Sequence, residues 1–233
     1  MAQESTKTKN IRQEDFIEKY LKGSVIDIGS GDDLVVDSAE PFDLEQGDAN
    51  SILRYKQPET YDCVYSSHTL EHMVNIRKTL LDWWRLIKPG GYMVVIVPDE
   101  DLYEQGVWPS IFNTDHKATF TLKYCKSWSP VSYNLLELFS NLLECRIISS
   151  AVHDANYDYA LIPPKISRLS KIMGILCRDI RYFLHRMGQI DRSIDKNIIR
   201  LFSNFGAPID QTIGSALAQL EIVAQKKSRK LMV

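Results

Sequence analysis

The sequence predicts an α/β fold built on a Rossmann-like, mostly parallel sheet, and three observations predict it. An apolar strand, Val25-Ile26-Asp27-Ile28, runs straight into the glycine turn Gly29-Ser30-Gly31. Two more apolar runs follow, from Tyr61 to Ser67 and from Tyr92 to Pro98, each long enough for a buried strand. Between them Ile76, Leu80, Trp83, Trp84 and Ile87 recur at helical spacing. Strands that are apolar on both faces, separated by an amphipathic helix, are how a covered parallel sheet reads.

Taken in order, residues 1 to about 10 are polar and are expected to be loose. Gln13 to Lys22 carries Phe16, Ile17, Tyr20 and Leu21 on one side, a helix ended by Gly23. Ala39 to Leu44 makes a short second strand that ends in Asp43. Gly31 and Asp43 are too close for a normal crossover helix, since parallel strands usually need a connection of about a dozen residues or more. A loop or single turn is expected there, and the next crossover helix, between Asp43 and Asp48, is expected to be missing. Lys88-Pro89-Gly90-Gly91 stops the tryptophan-bearing helix.

Beyond Asp99 comes a long polar and aromatic loop, and Ser129-Pro130 opens a helix holding Leu135, Leu136, Leu138, Phe139 and Leu142. Cys145 to Val152 reads as a strand, and Asp154 to Pro164 as a tyrosine-bearing loop. From Lys165 to Met187 the residues Ile166, Leu169, Ile172, Met173, Leu176, Ile180, Phe183 and Met187 form one apolar stripe. A second helix covers Ile194 to Phe202, and Ala216 to Lys226 is the last, antiparallel strand. Residues 1–233 are therefore expected to form a single domain with a helical insertion over 155–210, serving as a lid, a membrane-surface element or a dimer element.

The 233 residues are 44% apolar, enough to bury one good core. A formal charge of −2 gives no electrostatic case for nucleic acid, which calls for a clustered basic face. Cys63, Cys125, Cys145 and Cys177 are widely spaced, without a C-x-x-C pair, so neither a zinc ribbon nor a disulfide framework is suggested. The polar start MAQESTKTKN is unlike a secretion leader, and nowhere do 18 apolar residues run together. A cytoplasmic protein is expected. The 165–187 helix is basic, with Lys165, Arg168, Lys171, Arg178, Arg181 and Arg186 against Asp179. It suits either peripheral contact with the inner face of a membrane or an apolar stripe packed on the domain or on a second subunit, with its arginines in water.

A strand entering a glycine turn lets backbone approach a nucleotide-sized ligand. Asp32 and Asp33 place carboxylates where a pyrophosphate would lie, which argues against NAD, NADP and FAD. A phosphate-free nucleoside with a cationic centre tolerates those acids, and S-adenosylmethionine fits that description. Asp43 is placed to accept hydrogen bonds from ribose hydroxyls, with Asp37 and Glu45 as the alternatives the shortened crossovers leave open, and Gly47-Asp48-Ala49 offers an acceptor to the adenine amino group.

VIDIGSG, GDA, YDCVYSSHTLEH and LIKPGGYMVVIVPDED, in that order, resemble the class I S-adenosylmethionine-dependent methyltransferase family, type 11-like, over roughly residues 20 to 100. The resemblance implies a seven-stranded sheet with the cofactor at the carboxyl ends of the first, second and fourth strands. It assigns cofactor contacts to Asp27, Gly29, Ser30, Gly31, Asp43, Leu44, Asp48, Ala49, Ser66, Ser67 and His68. The segment Asp99 to Thr121, with Trp108-Pro109-Ser110 and Asn113-Thr114-Asp115-His116-Lys117, resembles methyltransferases of bacterial surface-polysaccharide biosynthesis.

Methyl transfer to a hydroxyl needs in-line positioning, worth roughly 7 to 11 kcal/mol, and a group to take the proton. His116, flanked by Asp115, is the first choice for that group and His72 the second. His68, Glu71 and His72 share one turn and form a conceivable ligand set, but the resemblance makes Ser67 and His68 pocket lining, so no metal is expected. Tyr103, Trp108 and Asn113 are the candidate substrate contacts, with Tyr157 and Tyr159 as further loop aromatics; Cys63, Trp83 and Trp84 are core. The expected function is O-methylation of a sugar or small-molecule hydroxyl. The alternatives are a methyltransferase-like scaffold without catalysis and a nucleotide-sugar oxidoreductase.

Overall fold

The computed structural model describes residues 4–12, 15–188 and 191–228. Four parallel strands, β1 (Val25–Ile28), β2 (Glu40–Phe42), β3 (Tyr61–Ser67) and β4 (Ile87–Pro98), form one side of the main sheet. The small parallel pair β5 (Thr119–Thr121) and β6 (Ser132–Asn134) stands apart from it. The remaining strands are β7 (Cys145–His153) and β8 (Gln219–Lys226), and β8 runs antiparallel to both β4 and β7. The order across the sheet is β2-β1-β3-β4-β8-β7.

Among the described residues that sheet has six strands, against the expected seven. The missing strand would lie outside β2, and the residues available for it form a 3₁₀ run, Ala49–Arg54, instead. Asp48 caps this run by accepting from the Asn50 amide at 2.9 Å, Ile52 is fully buried beneath it, and Trp83 Nε1 donates to the Ala49 carbonyl at 2.9 Å. The connection from β1 to β2 contains bends and turns and no helix, as the short spacing predicts.

Helix α3 (Ile76–Arg85) buries Ile76, Leu80, Trp83 and Trp84 against one face of the sheet. Its N-cap Asn75 accepts from the Lys78 amide at 3.1 Å. The helix ends before the predicted stop, and Ile87 to Gly91 belong to β4. Glycine is needed there because a Cβ on Gly91 would lie 2.7 Å from the Asp62 carbonyl oxygen. Ser129-Pro130 does not open the next helix either. β6 intervenes, and α4 (Leu135–Ser140) starts after Asn134, whose side chain accepts from the Glu137 amide.

The other face is covered without a crossover helix. Tyr20 and Leu21 pack there with Val35 and Ala39 of the β1–β2 loop over Tyr65, Val94 and Ile96. Tyr20 closes the short helix α2 (Asp15–Tyr20); the predicted helix ran from Gln13 to Lys22, but Leu21 and Lys22 lie beyond the helix end, and residues 13 and 14 lie outside the described residues. Ahead of it α1 (Glu4–Lys9) is ordered where a loose segment was expected. Asp33 fastens it, accepting from the Thr6 amide and the Thr6 hydroxyl, each at 2.8 Å. Lys9 Nζ reaches the Leu34 carbonyl at 2.6 Å, and Gln219 Nε2 donates to the buried Thr8 hydroxyl at 2.8 Å.

Between β7 and β8 the chain makes a helical hairpin, α5 (Arg168–Arg186) and α6 (Arg192–Ser203). Only part of the predicted apolar stripe packs on the domain: Met173 joins Cys177, Phe202, Ala207 and Ile209, and Ile166 joins Val107, Ile111 and Phe112. Leu169, Ile172, Leu176, Phe183 and Met187 are exposed, and Ser170, Gly174, Cys177 and Arg181 are the buried face. Close approach explains the reversal: a Cβ on Gly174 would stand 2.9 Å from Pro208 Cγ and 3.0 Å from Ile111 Cδ1. Arg181 completes the face, with Nε on Asp195 Oδ1 at 2.6 Å and Nη1 on the Asp210 carbonyl. Among the described residues no helix is long and apolar enough to cross a membrane.

Candidate active site

The carboxyl ends of β1, β2 and β3 meet at the glycine turn. Gly29 (φ +78°) donates to the Phe42 carbonyl at 2.8 Å, and Gly31 (φ +50°) donates to Asp43 Oδ2 at 2.8 Å. Only glycine takes these angles without strain, and no atom lies within 4 Å of where a Gly31 Cβ would be. The turn is open to a ligand on that side. Thr69 holds the β3 end against it, donating to the Ile28 carbonyl at 3.1 Å. Ser67 Oγ is buried there with no hydrogen-bond partner.

The sequence-assigned cofactor residues divide at this point. Gly29, Ser30, Gly31 and Asp43 surround the turn, and Ser67 and His68 end β3 beside it. Asp27 faces inward instead: it is 1% exposed, accepts from the Val35 amide at 2.7 Å, and is pushed by burial up to about 7. Ser66 is likewise turned to the sheet, its hydroxyl on the Ile28 carbonyl at 3.1 Å. Leu44 is exposed with its amide on Asp43 Oδ1, while Asp48 and Ala49 are bound up in the 3₁₀ run. Asp33 is committed to α1, so the two acids of the turn do not act alike. The anion position at the Gly31 amide is held by Asp43, a carboxylate of the protein itself.

Next to the turn a cleft of about 940 Å³ opens between the sheet and α5. Its floor carries His68, Glu71, His72 and His116, its wall Tyr103, Phe112 and Asn113, and its roof Arg178, Tyr182, His185 and Arg186. Of the predicted substrate contacts, Tyr103 and Asn113 line the cleft and Trp108 does not. Tyr157 is also elsewhere, its hydroxyl donating to the Leu102 carbonyl at 2.6 Å.

His116 sits in the floor, not on the surface, with its side chain 3% exposed. It reaches that place because the loop after a five-residue π-turn, Glu100–Glu104, folds back onto the β3 end, where the Lys117 amide donates to the Glu71 carbonyl at 2.8 Å. Its Nδ1 pairs with Glu104 Oε1 at 2.7 Å, and its ring meets that of His72 edge-on, centroids 5.0 Å apart. His72 Nδ1 pairs with Asp115 Oδ2 at 2.9 Å. Each carboxylate holds its imidazole at Nδ1 and so fixes the orientation of the ring.

Glu71 lies among these rings, 1% exposed, with neither carboxylate oxygen hydrogen-bonded. His68 Nδ1 stands 3.5 Å and His72 Nε2 4.0 Å from its Oε1. Burial works to raise its pKa, and His68, His116 and His72 outweigh that, leaving it below the usual carboxylate range. Glu104 was missed as a site residue, and Glu71 was read only as part of a conceivable ligand set. Glu104 stands among Glu100, Asp101 and Gln105, so nothing in the sequence marks it as the acid that faces His116.

A glycine turn without an anion site, beside a cleft floored by imidazoles and a carboxylate, is the arrangement of an α/β group-transfer enzyme. The methyltransferase-domain family matches residues 9–129, just over half of the chain, and the chain belongs to that family. Its cofactor is S-adenosylmethionine. The open Gly31 face and the unpaired Ser67 hydroxyl fit an uncharged nucleoside with hydrogen-bonding groups.

A search of curated proteins finds no match. Solved structures with a similar fold include a SAM-dependent methyltransferase from Archaeoglobus fulgidus, 16% identical at a TM-score of 0.48, covering 96% of this chain and 94% of that one. The YcgJ protein of Bacillus subtilis is 14% identical at a TM-score of 0.47, covering 98% of each chain. A Galdieria sulphuraria structure is 12% identical at 0.41 over 83% of this chain, which spans 61% of that protein's length.

Proposed function

We propose that the protein is an S-adenosylmethionine-dependent O-methyltransferase acting on a sugar or small-molecule hydroxyl. The observation that carries this reading is the convergence of Glu71, His72 and His116 on the floor of a cleft beside the cofactor turn. When bound, the cofactor supplies a methyl carbon activated by its sulfonium, and that carbon passes to the acceptor oxygen while the C–S electron pair stays on sulfur. Asp43, already fixed by the Gly31 and Leu44 amides, retains lone pairs for ribose hydroxyls. His116 takes the hydroxyl proton at Nε2, and Glu104 on Nδ1 stabilises the imidazolium that results. Tyr103 and Phe112 offer flat faces to a sugar ring, and α5 screens the cleft from water.

Arg186 on the roof favours an acceptor carrying acidic groups, which suits surface-polysaccharide precursors. The outward apolar residues of α5, flanked by Arg168, Lys171 and Arg186, support a peripheral position on the inner face of the membrane. Both parts are tested directly. Incubation with methyl-tritiated donor and a panel of sugars, phenols, amines and carboxylates is expected to label hydroxyl acceptors, and labelling of amines alone overturns the reading. Sedimentation with anionic vesicles is expected to carry the protein down, with Phe183→Glu abolishing it; equal sedimentation of the variant removes the membrane contact.

A further inference from the structure

The floor of the cleft has the composition of a metal centre. Glu71, His72 and His116 each offer a donor atom, and the three donors lie within 4.8 Å of one another. Glu71 and His72 come from the 3₁₀ turn Leu70–His72 at the end of β3, and His116 comes from the loop that folds back over it. No metal was expected from the sequence, and His68, which shares the turn with Glu71 and His72, is not in this set: its Nε2 is engaged by Gln219 Oε1 at 2.9 Å, and His116 stands in the third position. The set spans two segments 44 residues apart in sequence, from His72 to His116, which is why the spacing of neighbouring residues did not reveal it.

Two further observations point to a cation. The Glu71 carboxylate is buried with neither oxygen hydrogen-bonded, and its nearest partners are imidazole nitrogens at 3.5 and 4.0 Å, so its charge is left to be neutralised by those rings or by a bound cation. Both imidazoles are also oriented from behind. Asp115 Oδ2 on His72 Nδ1 at 2.9 Å and Glu104 Oε1 on His116 Nδ1 at 2.7 Å are the carboxylate–histidine pairs that aim Nε2 at a metal and raise its basicity.

We propose that Glu71, His72 and His116 bind a divalent transition-metal ion at the floor of the cleft. Two imidazoles and one carboxylate suit zinc, iron, nickel or manganese and leave coordination positions open for the acceptor. The inference rests on the O-methyl-transfer reading and deepens it. With the ion in place, a coordinated hydroxyl loses its proton to water more easily, and His116 acts as a ligand where the metal-free site uses it as a proton acceptor.

The test is a titration of chelator-stripped full-length protein with Co²⁺, read by its visible d–d absorption and by calorimetry. One equivalent is expected to bind, and Glu71→Gln and His116→Ala are expected to abolish the bands. Asp115→Asn, at an exposed side chain, should weaken Co²⁺ binding by about 10- to 100-fold. Far-UV circular dichroism and donor binding establish that each variant is folded. Absence of bands in the native protein, or equal Co²⁺ affinity in Glu71→Gln, overturns the proposal. Co²⁺ binding without hydroxyl methylation sinks the O-methyl-transfer reading and leaves the metal site standing. Hydroxyl methylation by protein that gives no Co²⁺ bands does the reverse.

Discussion

The amide of Gly31 donates to the carboxylate of Asp43 across 2.8 Å, joining the ends of β1 and β2 twelve residues apart. In a dinucleotide site that amide would be left for a phosphate. Here a side chain fills the position, and the same side chain is the acceptor for a ribose. Asp43→Ala is expected to weaken S-adenosylmethionine binding by about 1.5–3 kcal/mol, roughly 10- to 100-fold. Calorimetric titration measures it, and unchanged affinity would remove Asp43 from the site.

His116→Ala is expected to lower turnover by about 10²- to 10⁴-fold while donor affinity stays unchanged. Steady-state rates with a labelled hydroxyl acceptor, paired with donor titration, check both halves. Full turnover in the variant would exclude His116 as proton acceptor and as ligand.

Asp27 gives the stability a pH dependence of definite sign. Burial raises its folded pKa to about 7, against about 3.9 in an unfolded chain. The unfolded chain therefore releases this proton first as pH rises. The contribution of Asp27 is fully present below about pH 4, declines between about pH 4 and 7, and is gone above that. Asp99, raised by burial to about 6, acts in the same direction. Asp27→Asn keeps an acceptor for the Val35 amide and is expected to add up to about 4 kcal/mol at pH 8, with little effect at pH 4. Urea denaturation at the two pH values is the measurement, and an equal effect at both contradicts this account.

Gly174→Val is expected to destabilise the chain by about 1–3 kcal/mol, because side-chain atoms there meet Pro208 and Ile111. Limited proteolysis should then cut within 155–210 before the sheet. Resistance equal to that of the native chain would show that the hairpin absorbs the extra volume.

The parts of the fold legible in sequence are those with a strong local period. β1, β3, α3 and the antiparallel β8 lie within a few residues of their predicted places, because each buries an uninterrupted apolar face. The shortened crossovers were legible from chain length alone. α1 was not, since its order depends on Thr6 meeting Asp33, a polar pairing across 27 residues. The orientation of α5 also escaped the sequence: its widest apolar stripe faces outward, and a glycine and a buried Arg181–Asp195 pair decide what packs. In the site, the glycine turn, His116 and the His68-Glu71-His72 turn were visible in the sequence, whereas Glu104 and the meeting of His116 with Glu71 and His72 emerged only when distant loops came together.

Ending the sheet at β2 has a consequence for how molecules meet in solution. The margin exposed by the absent neighbour is three residues long and has Pro41, which lacks an amide proton, at its centre. Glu40 beside it is tethered to Lys56 and to the Tyr61 hydroxyl. So short a rim, lacking one donor and carrying a fixed charge, is a poor template for backbone from another chain, so this border resists edge-to-edge aggregation.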